Sequence, residues 1–307
     1  MTTVRDDTAL AKATLDETSV VMGSVPGHRV THTKGVLLTG TFTATPEAKR
    51  LSRAAHFQGE PVRVTIRFSN GAGDPHCSDT AVNDPRGMAV KFYLPDGTRT
   101  DLALQTWPVF PAATPEEFHG LMKAQATGEE ATAAFLGEHP HIAAALDAIA
   151  ALGDPPASWA RVRFNSMNAY RLVDADGEGQ MVRFRFEPER GVAFLPAEQW
   201  ETAGDDHLMT GILDELPVRY RLLAQLAHDD DQTTDPSRAW PDDREWVDLG
   251  VVEGTGPDLE REQGDDILVN DPTRVTDGIE LSDDPILHFR YHVYAESVRR
   301  RTGVEVG

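Results

Sequence analysis

The sequence predicts an α+β protein, an antiparallel β-barrel with inserted and C-terminal helices. Several segments alternate apolar and polar residues with a period of two, as expected of strands that bury one face, and residues 61–70 show this most clearly. Thr-Pro pairs at Thr45 and Thr114 predict helix starts between the strands. Since no internal repeat, linker or low-complexity tract interrupts the chain, we predict one domain over residues 21–307 behind a polar N-terminal lead, residues 1–20.

Strands and helix starts alternate through the first half of the chain. A helix start at Thr45 follows the first predicted strand, and a Pro-Asp-Gly turn at residues 95–97 follows the third. A helical zone is predicted from Thr114 to Leu152, because its Ala-rich stretches are amphipathic. The predicted strands of this half are residues 35–43, 61–70 and 88–94.

The second half continues the same alternation of elements. Two strands are predicted on either side of an Asp-Ala-Asp-Gly turn, followed by a helix, an irregular crossing segment and a final strand. A last helix begins at Ser282 with acidic residues and ends at Arg301 with arginines, as the helix dipole favours. The predicted segments before this helix are 161–174, 180–187, 207–226, 234–241 and 246–252.

The last helix also carries a tyrosine in an unusual setting. Arg290 and Tyr294 are four residues apart and share a face, and Arg301 lies on the same side two turns further on. A free tyrosine titrates near pH 10, so a phenolate at neutral pH needs positive charge beside it. The spacing suits a metal-bound phenolate, whereas a tyrosine at the rim of the core is the commoner fate of helical tyrosines.

Composition excludes several classes of function. The formal charge of -21 and a pI near 4.8 argue against nucleic acid or an anionic membrane as partner, because phosphate binding needs clustered cations. The single cysteine, Cys77, allows no intramolecular disulfide, and no stretch approaches the roughly 20 apolar residues of a membrane span. We therefore expect a cytoplasmic protein with no membrane partner.

Five short sequence motifs occur in order along the chain and together indicate one protein family. They read RVTHTKG at residues 29–35, RFSNGAG at 67–73, DPRGMAVKF at 84–92, DL-x-x-Q-x-x-P-x-F at 101–110 and RYHVY at 290–294. Together they resemble the catalase family from about Arg29 to the C-terminus. The resemblance implies a catalase-like barrel that binds haem b, with Tyr294 as the axial tyrosinate ligand of the iron.

The same resemblance implies roles for the remaining motif residues. His32 would be the distal acid-base, oriented by Ser69, and Gln105 would supply an amide to the pocket. Arg290 would support Tyr294. The residues implied to bind the haem propionates are Arg29, Arg67 and Arg301, and those implied to wall the pocket are Phe110 and Phe118.

Two residues depart from the family pattern. Gln105 stands where catalases have asparagine, so its amide, one methylene further out, must either reach into the cavity or bend aside. Thr31 stands beside the histidine where larger catalases have a branched apolar residue, and its hydroxyl could engage the distal ring, as in catalase-like allene oxide synthases. Efficient dismutation of hydrogen peroxide is therefore not assured.

We accordingly expect a haem-dependent peroxidase that reduces hydrogen peroxide or organic hydroperoxides with an electron donor, accompanied by weak catalase activity. Three alternatives remain: a fatty-acid hydroperoxide isomerase or lyase, suggested by Thr31; a plain hydrogen peroxide-dismuting catalase; and a haem-binding protein without turnover. Larger catalases assemble largely through an N-terminal arm that this chain lacks, so we expect a homodimer or a monomer.

Overall fold

The computed structural model describes residues 7–151, 153–258 and 268–303, and within them ten strands form one sheet. The strands are β1 (Gly35–Ala44), β2 (Val62–Asn70), β3 (Arg86–Tyr93), β4 (Arg99–Gln105), β5 (Phe164–Asn165), β6 (Tyr170–Val173), β7 (Gly179–Pro188), β8 (Val218–Leu226), β9 (Trp246–Pro257) and β10 (Ile279–Leu281). The α-helices in the described ranges are α1 (Thr8–Met22), α2 (Pro46–Leu51), α3 (Pro115–Thr127), α4 (Glu129–Glu138), α5 (Pro140–Ala150), α6 (His207–Asp214) and α7 (Pro285–Thr302). Short 3-10 helices lie at Ala55–Phe57, Trp159–Arg161 and Ala197–Gln199.

The sheet closes on itself as an antiparallel barrel. Its strands follow the order β7-β5-β4-β3-β2-β1-β9-β8, and β8 pairs back with β7. Strands β6 and β10 continue beyond β7 outside this ring. Closure leaves the ring without a free strand edge. The predicted α+β barrel is confirmed.

The alternation in β2 decides which side of the barrel faces the core. Val64, Ile66 and Phe68 are at most 1% exposed and belong to the main apolar cluster inside the ring. Arg67 and Ser69 consequently point to the outer face, where the helices and loops lie.

Two helix starts follow the predicted capping chemistry, and the last helix begins at Pro285, after the predicted Ser282, with an aspartate as its cap. The hydroxyl of Thr45 accepts a hydrogen bond from the Ala48 N–H, and that of Thr114 accepts one from Glu117. Asp284 caps α7 by accepting from the N–H groups of the next turn, and proline follows each of the three caps. The position and direction of the helix that carries Tyr294 are therefore fixed by local sequence.

Three other predictions differ from the structure. The predicted helix 207–226 is wrong, because α6 ends at Asp214 and β8 follows. Pro217 lacks the N–H that a continuing helix needs. From Val218 onward alternate residues are buried, as expected of a strand, and this strand pairs with β7 on one side and β9 on the other. The predicted strand 161–174 is interrupted at residues 166–169, between β5 and β6. Strand β9 is not the last, since β10 follows it.

Helix α1 covers one side of the helical layer. It packs against α3 and α7, and it runs from Thr8 to Met22 across the predicted boundary at residue 20. The single-domain organisation stays a prediction. None of the described helices has the length and apolar character needed to cross a bilayer.

Candidate functional site

Register places the distal candidates in one row across neighbouring strands. Ser69 of β2 is paired with Gly87 of β3, which is paired with Gln105 of β4, and Gln105 is paired with Asn165 of β5. Directly paired residues in an antiparallel sheet project to the same face. The row therefore forms a floor on the outer face of the barrel.

His32 is held over this floor by its backbone and its ring. Its N–H donates to the Gly71 carbonyl at 2.9 Å, Arg67 donates to its carbonyl at 2.8 Å, and its Nδ1 lies 3.1 Å from the Ser69 hydroxyl. Its φ of 56° lies in the left-handed region, which non-glycine residues rarely adopt. The surrounding contacts thus impose a conformation that the residue would not adopt by itself.

Gly87 provides the space for that ring. A Cβ atom at this position would lie 2.9 Å from Ser69 Oγ and 3.0 Å from His32 Nδ1. The first contact is shorter than real Cβ atoms show and the second is tighter than nearly all of them, so a side chain here would force the hydroxyl or the imidazole to shift.

The electrostatic setting keeps His32 neutral. Burial, followed by the positive charges of Arg67, Arg29 and Arg290 in that order of importance, lowers its pKa to about 3. When Nδ1–H donates to Ser69, the Nε2 lone pair is free, and Nε2 has no hydrogen-bond partner among the described residues. At neutral pH the ring is therefore uncharged and presents a free Nε2 lone pair.

A chain of hydrogen bonds leads to Tyr294 on the other side of the site. Arg290 donates to the Tyr294 hydroxyl at 3.0 Å and to the side-chain amide oxygen, Oδ1, of Asn168 at 2.9 Å. The Asn168 amide in turn donates to the Asp284 carboxylate at 2.6 Å. Asp284, the cap of α7, is thereby connected to the tyrosine of the same helix through a residue of the segment between β5 and β6.

This chain sets the charge beside Tyr294. Burial disfavours the Arg290 cation, but the neighbouring Tyr294 and Tyr170 outweigh it and the pKa of Arg290 is raised. Burial raises the pKa of Asp284 to about 6, even though Asn168 and two backbone N–H groups favour its charged form. A permanent cation thus faces the phenol oxygen.

Three further arginines surround the same space without counter-ions. Within the described ranges no carboxylate lies within ion-pair distance of Arg29, Arg67 or Arg301. Burial followed by mutual repulsion lowers the pKa of Arg67 well below its usual range and that of Arg301 to about 10. Burial also lowers the pKa of Arg29. Buried cations are stable when paired with anions, so the cluster is suited to a ligand with carboxylates.

The remaining predicted residues lie as follows. The Gln105 amide bends aside and donates to the Met167 sulfur at 3.1 Å. Thr31 makes no hydrogen bond to the His32 ring in the part of the chain that the structure describes. The rings of Phe110 and Phe118 contact each other with centroids 4.9 Å apart and pack on the cluster formed by α3 and α5.

A separate cavity of about 310 Å³ opens on the outer face beyond Gln105. Asn165 lines it together with Arg183, Arg185 and Trp246, and the Arg185 guanidinium lies 4.0 Å from the centroid of the Trp246 ring. None of the residues predicted as site residues lines this cavity, so it is distinct from the space between His32 and Tyr294.

Comparison with known proteins identifies the class. The family model described as Catalase matches residues 16–249. The chain belongs to the catalase family, and members of this family are haem-dependent. Among the described residues no group of three or more His, Cys, Asp or Glu side chains could hold a metal ion. The arginines that have no carboxylate partner among the described residues, together with the neutral His32, fit a haem that carries two carboxylates.

Two relatives that match most of this chain are catalase-related peroxidases. The chain is 44% identical over 93% of its length to a catalase-related peroxidase of Mycolicibacterium paratuberculosis, of which it covers 92%. It is 33% identical over 90% of its length to a catalase-related peroxidase of Synechococcus elongatus, of which it covers 84%.

The larger catalases are more distant. A catalase of Pseudomonas syringae is 28% identical over 90% of this chain, which spans 58% of that protein. A crystal structure of a fungal catalase superposes with a TM-score of 0.77 at 22% identity, covering 91% of this chain and 60% of the other. At that identity the superposition shows the fold alone.

Sequence reasoning missed three residues of the site. Gly87 lies within a quoted motif, but the motif does not reveal its contact with His32. Met167 and Asn168 lie where the predicted strand is interrupted, and no local signal in the sequence marks the interruption. Asp284 was recognised as part of a helix start, and its link to Tyr294 depends on Asn168.

Proposed function

We propose that the chain is a haem b peroxidase that reduces hydrogen peroxide or organic hydroperoxides at the expense of an external electron donor. The observation that carries the proposal is the group of arginines near Tyr294 and the neutral His32 that have no counter-ion in the described part of the chain. The two catalase-related peroxidases among its relatives support the peroxidase assignment.

The proximal residues would hold the cofactor. Tyr294 would be the axial tyrosinate, and the Arg290 cation at 3.0 Å from its oxygen favours the phenolate. Arg29, Arg67 and Arg301 would bind the carboxylates, for which arginine has matching geometry. When bound, the haem iron supplies the redox centre for cleavage of the peroxide O–O bond.

The distal residues would move the proton. His32 accepts a proton at Nε2 from the peroxide oxygen and returns it to the departing oxygen, so that a hydroxide need not leave. Ser69 would favour the tautomer with the proton on Nδ1 by accepting from it, and Gly87 leaves the space for the ring. Such positioned general acid-base catalysis contributes about 10²- to 10⁴-fold.

The alternative isomerase activity rests on a contact between Thr31 and the distal ring. Ser69 rather than Thr31 contacts Nδ1 in this structure, so the residue that suggested the alternative offers it no support. The electron donor, the homodimer and the cytoplasmic location stay predictions from the sequence.

The test is a pair of assays on protein produced with haem supplied. Donor oxidation with hydrogen peroxide and with cumene hydroperoxide is measured beside oxygen release from hydrogen peroxide alone. We expect donor oxidation with both peroxides and little oxygen release. Rapid oxygen release without a donor would assign plain catalase activity, and full haem occupancy with neither reaction would assign haem binding without turnover.

A further inference from the structure

The amide of Gln105 is directed at a thioether. Its Nε2 donates to the sulfur of Met167 at 3.1 Å, and Met167 is 2% exposed. Gln105 belongs to the row with Ser69 and Gly87 that forms the floor beneath His32. The Gln105 amide, a hydrogen-bond donor on the distal floor, is thus bonded to the Met167 sulfur rather than directed freely into the space above the floor.

Met167 is held in place on both sides along the chain. The Ser166 hydroxyl donates to the Asn168 carbonyl at 3.0 Å and accepts from the Phe184 N–H at 2.7 Å. Asn168 is fixed by Asp284 and Arg290. Residues 166–169 are thus anchored to β7 and α7 by hydrogen bonds on both sides of Met167.

The hydrogen bond itself is easily exchanged. A thioether is a weak acceptor, whereas a peroxide oxygen is a good one. The amide is therefore held aside by a modest interaction that a better acceptor must displace before the amide can orient it. A small peroxide can be recognised by the protein only through its oxygen atoms and hydroxyl hydrogens, so its orientation depends on hydrogen-bonding groups such as the Gln105 amide.

We propose that Met167 is a positioning residue that holds the Gln105 amide aside and thereby determines peroxide specificity. With the amide held, oxidation of a second hydrogen peroxide is disfavoured relative to reduction of a hydroperoxide by an external donor. The inference rests on the proposed function, since it concerns the selectivity of the same site.

The central test compares the wild type with Met167→Leu, which removes the acceptor and nearly keeps the volume. In the cofactor-free protein, NMR of the Gln105 side-chain amide, identified by its absence in Gln105→Leu, should show a shifted resonance in Met167→Leu. In the haem-loaded protein, fluoride, which accepts hydrogen bonds from distal donors, should bind about fivefold more tightly. The ratio of oxygen release to donor oxidation should rise by a similar factor.

Two controls separate positioning from packing. Met88→Leu makes the same change at a buried methionine that faces the barrel core, and it should leave all three measurements unchanged. In the Gln105→Leu background, Met167→Leu should have no effect, because the group through which it acts is gone. Gln105→Asn, whose shorter side chain cannot reach the sulfur, should change the ratio in the same direction as Met167→Leu.

The outcomes separate this inference from the proposed function. An unchanged amide resonance in Met167→Leu, or an equal change in ratio with and without Gln105, would overturn the positioning role. A wild-type protein that turned over no peroxide would overturn the proposed function and the selectivity with it, while the amide resonance would still report on the contact between Gln105 and Met167.

Discussion

The two sides of the site differ in how completely their polar groups are partnered. On the Tyr294 side, Arg290, Asn168 and Asp284 form an unbroken series of hydrogen bonds, and each link joins groups of fixed geometry. On the His32 side, Nε2 is unpartnered among the described residues and the Gln105 amide binds a weak acceptor. A fully partnered network resists rearrangement, whereas a partly committed one can exchange partners.

The difference assigns separate tasks to the two sides. The Tyr294 side maintains one charge state, with a permanent cation beside the phenol oxygen. The His32 side keeps a neutral base and an amide bound to a weak acceptor, which are the groups that a reacting peroxide would use. Changes on the first side should alter cofactor binding and stability, and changes on the second should alter turnover.

The largest expected effect on turnover comes from His32. His32→Gln removes the proton acceptor but keeps a polar side chain, and we expect peroxide-driven donor oxidation to fall about 10²- to 10⁴-fold. The absorption spectrum of the resting haem protein should change little, since the Tyr294 side is intact. Turnover within tenfold of the wild type would place proton transfer elsewhere.

Substitution of Gly87 tests the His32 side by changing only the space available to the ring. Gly87→Ala brings a Cβ against Ser69 and His32, and displacement of the ring should lower turnover about 10- to 100-fold with haem content unchanged. Gly137→Ala is the matched control, because a Cβ there meets nothing within 4 Å. Equal activity of the two variants would show that the ring tolerates the shift.

Asn168 tests the Tyr294 side. Asn168→Leu leaves the buried Asp284 and the Arg290 guanidinium each without one partner, at a cost of about 1–3 kcal/mol of unfolding free energy. Chemical denaturation measures this loss, and the tyrosinate absorption bands of the haem-loaded variant should shift. Asn165→Leu, nearby but outside this network, should leave those bands in place. Wild-type stability and spectrum in Asn168→Leu would refute the network.

The smallest effect separates a core histidine from the candidate catalytic one. His56 lies among Phe42, Phe57 and Phe92, and burial lowers its pKa to about 3. The unfolded chain takes up the proton near pH 6.5 and the folded one does not, so stability declines as pH falls from about 6.5 towards 3. Without this group, melting temperature should fall less steeply between pH 6.5 and 5.

The measurement is the pH dependence of the melting temperature for wild type and His56→Leu, beside donor oxidation by each. His56→Leu should flatten the curve and leave turnover intact, whereas His32→Gln should flatten the curve and abolish most turnover. Loss of turnover in His56→Leu, at a pH where the variant is fully folded, would contradict the division between the two histidines.

Local signals predicted most of the barrel and the helix that carries Tyr294. Alternation predicted β1 and β2, and Thr45, Thr114 and Asp284 marked helix starts, because capping depends on only a few neighbouring residues. The strand after Pro217 was missed, since its stability comes from pairing with β7 and β9.

The residues of the candidate site likewise divide into those that the sequence predicted and those that it did not. Motif resemblance predicted the residues that bear charge or protons, such as His32, Arg67 and Tyr294. It could not predict Met167 and Asn168, because their contacts exist only where the chain leaves β5 before entering β6. Whether the longer amide of Gln105 reaches into the cavity or bends aside is likewise decided by a tertiary contact, its hydrogen bond to Met167.

The central claim is that Tyr294 binds haem iron as a phenolate supported by Arg290. The most direct test compares absorption spectra of wild type and Tyr294→Phe, both produced with haem supplied. The account predicts a high-spin ferric tyrosinate spectrum in the wild type that is lost or shifted in the variant. Failure of the wild type to take up haem, or identical spectra for the two proteins, would contradict it.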